Sequence, residues 1–209
     1  KSCLGSSPSI IMLSFSEKTV YTVPTKLPEE MLNSMVTYVE NREYFIAKTH
    51  RQPEGSRFED GIRDHVRSSS VSWINWDEWI PGIMYNMIYS ANREYFKYDI
   101  TYFNSQIQST IYTSEHRDHY TWHVDNSTAS LSDDNTEERK LSISLILSGP
   151  DEYEGGELQF AYYKGFHAKM RPERGTAVIF PGWMPHRVRP VTKGKRVSLV
   201  GWVHGPMFK

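Results

Sequence analysis

A single cysteine, Cys3, stands among 209 residues, so no internal disulfide can form. A reducing, intracellular and cytoplasmic setting is therefore expected. Long apolar runs are also missing. Nothing approaches the ~18 consecutive apolar residues of a membrane-spanning helix, and Ile10–Leu13 is too short for the core of a secretion signal. No membrane association is expected. Surplus charge is absent too: 24 basic and 25 acidic residues leave a net charge of -1, which gives no pull towards nucleic acid, and none is expected as a partner. There are no internal repeats, and low complexity is confined to Asn126–Glu138. The sequence starts at Lys1 rather than Met, so a longer parent chain and a targeting segment beyond it are left open.

The length suits one structural domain. Within it, residues 1–97 are expected to supply strands and supporting helices, and residues 98–209 a β core. Charge is balanced overall but not locally. Eight acids fall between Asp133 and Glu157, with only Arg139 and Lys140 against them, whereas ten basic residues and one acid, Glu173, follow Ala161. Ordinary solvated faces explain this, and so does a basic half of a barrel that receives an anionic small molecule.

Ile10–Phe15 and Thr19–Val23 read as short strands. Pro28-Glu29-Glu30 opens a helix, with proline in the first turn and acids at its positive end. Leu32, Met35, Val36 and Val39 give that helix one apolar stripe. Residues 47–72 lack periodicity and read as a long loop. A second helix, capped by Asn75 or Asp77, runs to about Phe96 and is expected to bury Trp79, Ile83, Met87 and Ile88. From Tyr98 the texture becomes short alternating segments between Gly and Pro turns: Gln106–Thr113, Tyr120–Asp125, Leu141–Leu147, Glu157–Ala161, Phe166–Arg171, Thr176–Phe180, His186–Arg189 and Arg196–His204. Antiparallel strands in this number fit a double-sheet jelly roll. The fold expected is mainly β with supporting helices (α+β), a cupin-like double-stranded β-helix.

His123-Val124-Asp125 carries the chemistry. On a strand, the i, i+2 spacing sends an imidazole and a carboxylate to one face. His186, 61 residues after Asp125, completes a set of three if the chain folds back. Two histidines and one carboxylate on one side of an ion form the facial triad of non-heme Fe(II) oxygenases, which leaves positions open for substrate chemistry. Taken alone, His-x-Asp reads first as a polar pair on a surface strand.

The surrounding residues add to it. His123-Val124-Asp125-Asn126 is followed by Tyr153-Glu154-Gly155-Gly156-Glu157-Leu158. Gly175-Thr176-Ala177-Val178-Ile179-Phe180-Pro181 then leads into Pro185-His186-Arg187-Val188, and Lys195-Arg196-Val197-Ser198-Leu199 precedes Trp202. In this order, residues 98–204 resemble the Fe(II)- and 2-oxoglutarate-dependent dioxygenases, in their prolyl-4-hydroxylase-like branch. The resemblance implies His123, Asp125 and His186 as metal ligands and catalytic centre. It implies Fe(II), 2-oxoglutarate as co-substrate and O2, with ascorbate as an optional addition. The far carboxylate of 2-oxoglutarate needs a cation, and Arg196, at the start of an apolar strand, has the planar fork to grip it. Arg196 is otherwise one member of a basic turn with Lys193 and Lys195. Tyr112 is implied as the second holder of that carboxylate. The turn Thr113–Asp118 is bulkier than the glycine-rich turn usual there, so Tyr120 is left between pocket wall and core. Trp202 shares the parity of Arg196 and is a pocket-wall candidate, whereas Trp122 should face away from the metal. His116, His119, His167 and His204 receive no role.

The activity implied is hydroxylation of an unactivated C–H, first of all in a prolyl residue of a protein or peptide. The alternatives are the same chemistry on a free amino acid, a small metabolite or an alkylated base, and a non-catalytic cupin-like metal-binding module. A zinc hydrolase on the same ligands would lack an adjacent general base. Loops 48–72, 113–119 and 126–139 should hold the specificity. The oligomeric state is not legible in the sequence.

Overall fold

The computed structural model describes residues 19–47, 65–126, 137–162 and 167–207. The expected strand Ile10–Phe15 lies outside them. Strand β1 (Tyr21–Pro24) leads into helix α1 (Glu29–Glu40), which starts behind Pro28 with Glu29 and Glu30 in its first turn. Leu32, Met35 and Val39 form its buried stripe, and Val36 packs beside them.

Next come β2 (Phe45–Ile46), β3 (Arg67–Ser68) and β4 (Ser70–Asn75). The loop expected over residues 47–72 is thus corrected over its last part, since Arg67 to Asn75 is mostly strand. Its middle, 48–64, lies outside the described residues. The pairing left no apolar alternation because serines 68, 69 and 72 fill buried positions there. They hydrogen-bond with neighbouring side chains instead of packing hydrocarbon: Arg67 Nε donates to Ser69 Oγ at 3.0 Å, and Ser68 donates to Asp118.

Helix α2 (Trp79–Ala91) runs on as a π-turn, Asn92–Phe96, closed by Lys97 at φ 63°. Neither Asn75 nor Asp77 caps it. Glu78 holds the N-cap position without a capping side chain, because its carboxylate instead accepts the Asn75 N–H at 2.6 Å and pairs with Arg42 at 2.8 Å. The buried stripe is also offset from the expected one. It consists of Ile80, Pro81, Met84, Ile88 and Ala91, whereas Trp79 is 43% exposed, and Ile83 and Met87 are partly buried. Trp79 turns outward to meet Tyr38 edge-on.

The remaining strands are β5 (Tyr102–Phe103), β6 (Gln106–Thr113), β7 (His119–His123), β8 (Glu137–Ile146), β9 (Tyr153–Gly155), β10 (Leu158–Ala161), β11 (His167–Met170), β12 (Thr176–Pro181), β13 (His186–Val188) and β14 (Val191–Pro206). A nine-stranded sheet runs β1-β12-β8-β14-β6-β4-β2, with β5 and β9 also on β14, and a five-stranded sheet runs β11-β10-β13-β7-β3. Every recorded pairing is antiparallel, as the jelly-roll expectation requires.

The large sheet has two different faces. Outward, Ile107, Leu141, Ile143, Leu145, Ile179, Val197 and Leu199 meet the two helices. Inward, Tyr112, Val178 and Phe180 meet Tyr153, Phe160, Met184, Val188 and Val191. Each such aliphatic side chain removed from water contributes about 1.5–3 kcal/mol. Leu141, Ile143 and Leu145 of β8 therefore face the helices. Ser142, Ser144 and Ile146 alternate onto the inner side, opposite Phe180, Val178 and Ser198 respectively. Among the described residues no helix is long and apolar enough to cross a membrane.

Candidate metal centre

Strand β7 delivers His123 at its last residue, and β13 delivers His186 at its first, as Cα partners across the small sheet. Asp125 is not on the strand as expected. It lies two residues past the end of β7, in a bend whose two N–H groups, those of Asp125 and Asn126, both donate to the Gly182 carbonyl at 2.9 Å. That anchor returns its side chain to the same place. His123 Nε2 lies 3.8 Å from one Asp125 carboxylate oxygen, and His186 Nε2 lies 3.7 Å from the other. One ligand atom from each residue lies within 4.8 Å of the others.

Both imidazoles are set for coordination. Nδ1 of His123 lies 2.8 Å from the Thr121 carbonyl, and Nδ1 of His186 lies 2.9 Å from the Met184 carbonyl. A carbonyl only accepts, so each Nδ1 carries the hydrogen and each Nε2 keeps its lone pair for a metal. The Ser142 hydroxyl donates to Asp125 at 2.6 Å. Burial, followed by the neighbouring His186, pushes His123 down from its ordinary value to about 3, which keeps it neutral. Burial alone would raise Asp125, but the two imidazoles and the Ser142 hydrogen bond outweigh it and carry the carboxyl down to about 2. Two neutral nitrogens and one carboxylate oxygen are the donor set that suits Fe(II).

Arg196 and Tyr112 are Cα partners across β14 and β6, on the inner face of the large sheet. The guanidinium sits 5.5 Å from the Tyr112 ring centroid and donates to Ser198 Oγ at 2.9 Å. Arg196 is 2% exposed, and among the described residues no carboxylate lies within ion-pair distance of it. Gly156 explains the Gly-Gly turn. Its φ is +63°, and a Cβ there would lie 3.1 Å from Arg196 Cδ, so only glycine leaves the arginine its place.

Trp202 lies on the inner side, 5% exposed, and is the Cα partner of Ser142, the residue bonded to Asp125. Arg139 stacks over its indole at 4.1 Å, Trp73 lies 6.5 Å away, and the indole N–H is buried without an acceptor among the described residues. Trp122 faces the other way, under Arg187 at 4.7 Å, as its parity predicted. Tyr120 stacks on the His123 ring at 3.5 Å between centroids and 13° between planes, with the Arg67 guanidinium 4.6 Å from its own ring. Burial pushes the Tyr120 hydroxyl up, against the pull of Arg67.

Arg67 and Arg139 are the residues that sequence reasoning missed. Arg67 gave no signal within an aperiodic stretch. Arg139 was visible only as one of two bases in an acidic run, and its place depends on a bulge at Val203/His204 that turns it onto the inner face. Asp118 was also missed. It is fully buried and accepts both the N–H and the hydroxyl of Thr113, tying down the bulky turn after Tyr112. Of the unassigned histidines, His119 meets two main-chain carbonyls and His204 stacks on Tyr102, while the side chain of His167 lies outside the described residues.

Comparison with known proteins bears on this arrangement. Residues 107–204, the span from β6 to near the end of β14, match the family model of the 2OG-Fe(II) oxygenase superfamily. The chain is also similar to a PKHD-type hydroxylase of Janthinobacterium sp. (strain Marseille), 45% identical over 87 residues, which cover 41% of this chain and 38% of that protein. A PKHD-type hydroxylase of Verminephrobacter eiseniae is 42% identical over 93 residues, covering 44% and 40%. The match thus spans about two fifths of the length of these curated relatives. In overall fold the chain is similar to a Pseudomonas putida prolyl-4-hydroxylase, with a TM-score of 0.66 at 20% identity over 91% of this chain and 94% of that one. It is likewise similar to a Trichoplax adhaerens prolyl hydroxylase solved with a hypoxia inducible factor peptide fragment, with a TM-score of 0.66 at 17% identity over 89% and 83%.

Proposed function

We propose that this chain is an Fe(II)- and 2-oxoglutarate-dependent dioxygenase that hydroxylates a prolyl residue of a protein or peptide. The observation that carries this reading is a donor set with a buried cation on the facing sheet. Two imidazoles with free Nε2 atoms and one carboxylate converge at the small sheet, and the buried Arg196 guanidinium on the inner face of the large sheet has no carboxylate beside it among the described residues. An unpaired buried charge is costly, so an anionic ligand is the natural counterpart of Arg196.

In this reading His123, Asp125 and His186 hold Fe(II), and Ser142 orients the carboxylate. Arg196 grips the far carboxylate of 2-oxoglutarate, and the Tyr112 hydroxyl assists. Bound Fe(II) and 2-oxoglutarate supply the activation of O2 and the oxidising power to replace a C–H hydrogen by hydroxyl, with loss of CO2 and formation of succinate. The chain positions the reactants and excludes water. Phe160 and Phe180 pack around His186, with the Phe180 ring 4.6 Å from it. On the substrate side, Trp202 offers a flat apolar wall and an indole N–H in need of an acceptor, and Arg139 offers further donors for a peptide carbonyl.

A peptide substrate is supported by the peptide-bound Trichoplax neighbour, hydroxylation by the names of the curated relatives, and prolyl chemistry by the similar solved structures. The test is incubation of the protein with Fe(II), 2-oxoglutarate, O2 and a set of proline-containing peptides, read by mass spectrometry. A gain of one oxygen on proline, with stoichiometric succinate, is the expected result. Succinate formation with no oxygen on any prolyl peptide would move the substrate to a small molecule, and neither product would remove the enzyme reading.

A further inference from the structure

Two guanidinium groups stand beside the metal centre with their charge unanswered, Arg67 on β3 and Arg139 on β8. Arg67 is buried. Its Nε donates to Ser69 Oγ at 3.0 Å and its Nη2 to Gln108 Oε1 at 2.7 Å, and both acceptors are neutral. Arg139 lies over the Trp202 indole at 4.1 Å, and its guanidinium has no hydrogen bond or ion pair among the described residues. Neither cation has a carboxylate within ion-pair distance among those residues. A buried charge is costly, and hydrogen bonds to neutral oxygens offset only part of the cost.

The two cations come from different sheets and converge on one ring. Arg67 is the Cα partner of Tyr120, and its guanidinium lies 4.6 Å from the centroid of that ring, which itself stacks on His123. Arg139 arrives from the large sheet. Both guanidinium groups act electrostatically on the Tyr120 hydroxyl, Arg67 also on His123, and Arg139 also on Asp125. Each has an aromatic ring on one side, which leaves N–H donors for a ligand. Trp202 adds another donor under Arg139, since its buried indole N–H has no acceptor among the described residues.

Charge decides what the ligand must carry. The two positive charges of Fe(II) and the one on Arg196 balance Asp125 and the two carboxylates of 2-oxoglutarate. Arg67 and Arg139 remain. A peptide carbonyl would accept a hydrogen bond and leave their charge in place. A carboxylate would neutralise it, and its two oxygens match the planar guanidinium fork. Arg67 is buried and Arg139 partly so, with no exposed basic stripe between them, so a single anionic group fits and a phosphate backbone does not.

We propose that Arg67 and Arg139 form a carboxylate subsite, which selects substrates carrying an acidic group beside the carbon hydroxylated at the His123–Asp125–His186 centre. That group is a Glu or Asp side chain next to the target proline, or the free carboxylate of a C-terminal proline. Its placement beside proline rests on the prolyl reading above. The test compares labelled peptide amides with Glu on either side of proline, the same peptides with Gln, and a peptide ending in proline as free acid or as amide. Binding is measured by fluorescence anisotropy to protein loaded with Co(II) and 2-oxoglutarate without O2, and hydroxylation by mass spectrometry with Fe(II) and O2. The native protein should bind and hydroxylate one acidic peptide on the order of tenfold better than its neutral twin, and the pair that shows this locates the carboxylate. Arg67→Gln and Arg139→Gln should bring the ratio close to one, through KM. The ratio is taken within one protein, so partial loss of folding does not move it. Arg139→Glu should turn the preference towards Lys beside proline. Arg187→Gln, whose side chain lies against Trp122 and away from the metal, should keep the native ratio. Equal binding of acidic and neutral peptides by the native protein, or a native ratio in either Gln variant, overturns the proposal and leaves the prolyl reading standing. Failure to bind any of the peptides overturns it as well. Preferential binding of acidic peptides, with no prolyl peptide hydroxylated, upholds the subsite and refutes the prolyl reading.

Discussion

Replacing Arg196 with methionine should act in opposite directions on ligand binding and on stability. The side chain is 2% exposed, its only recorded hydrogen bond goes to Ser198, and no carboxylate among the described residues neutralises it. If 2-oxoglutarate is the missing partner, its removal costs what breaking a buried, hydrogen-bonded charge pair costs, about 3–5 kcal/mol. At 1.4 kcal/mol per decade, that weakens 2-oxoglutarate binding on the order of 100- to 4,000-fold. Methionine has similar volume and no charge to bury, so in the ligand-free protein the same substitution should be neutral or should raise Tm. Arg196→Lys keeps the charge but loses the planar fork, and its effect on binding should be intermediate. Calorimetric titration of 2-oxoglutarate into the metal-loaded protein without O2, together with thermal melts of the ligand-free protein, reads both quantities. A 2-oxoglutarate affinity unchanged within threefold, or a fall of many degrees in Tm, would refute the reasoning and make Arg196 a structural member of the sheet.

Two further outcomes follow from the centre itself. Ser142→Ala removes the 2.6 Å hydrogen bond to Asp125 and should weaken Fe(II) or Co(II) binding about 10- to 100-fold with little change in Tm, as loss of a partner behind a metal ligand does; a metal titration checks it. The metal-free protein should lose stability on acidification. His123 takes up its proton near 6.5 when unfolded but only near 3 when folded, so the unfolded chain binds the extra proton throughout that window, and stability falls with pH by at most about 1.4 kcal/mol per unit. Urea unfolding at pH 7, 6 and 5 should show this slope in the native protein and a smaller one in His123→Gln.

Where the sequence was readable, one side chain or one period was enough to define the feature. The stripe Leu32, Met35, Val39 fixes the buried face of α1, and Gln106–Thr113 alternates so regularly that its bounds coincide with β6. His123, Asp125 and His186 come together as the spacing implied, and Arg196 and Tyr112 face each other across two strands. What was not readable depends on pairing over long separations. Arg67 reaches the site because β3 lies beside β7, and a serine-rich strand with polar partners carries no apolar period to announce it. Arg139 reaches the site through a bulge, and a bulge shifts register without marking the sequence. Asp125 serves the same face as His123 through the turn anchored on Gly182, a contact between residues 57 apart, not through strand alternation. Which half of Leu141–Leu147 faces the helices was not legible, because the stretch is apolar or small throughout and only the position of the helices decides it.

The most direct test of the central claim is an anaerobic titration of the protein with Fe(II) and 2-oxoglutarate, watched for the weak visible charge-transfer band of the chelated metal. A band in the native protein, absent in His186→Ala and shifted to higher 2-oxoglutarate concentration in Arg196→Ala, is what the arrangement of His123, Asp125, His186 and Arg196 predicts. Folded native protein that binds the metal but gives no band would contradict it, and the centre would then be a metal-binding site without oxygenase chemistry.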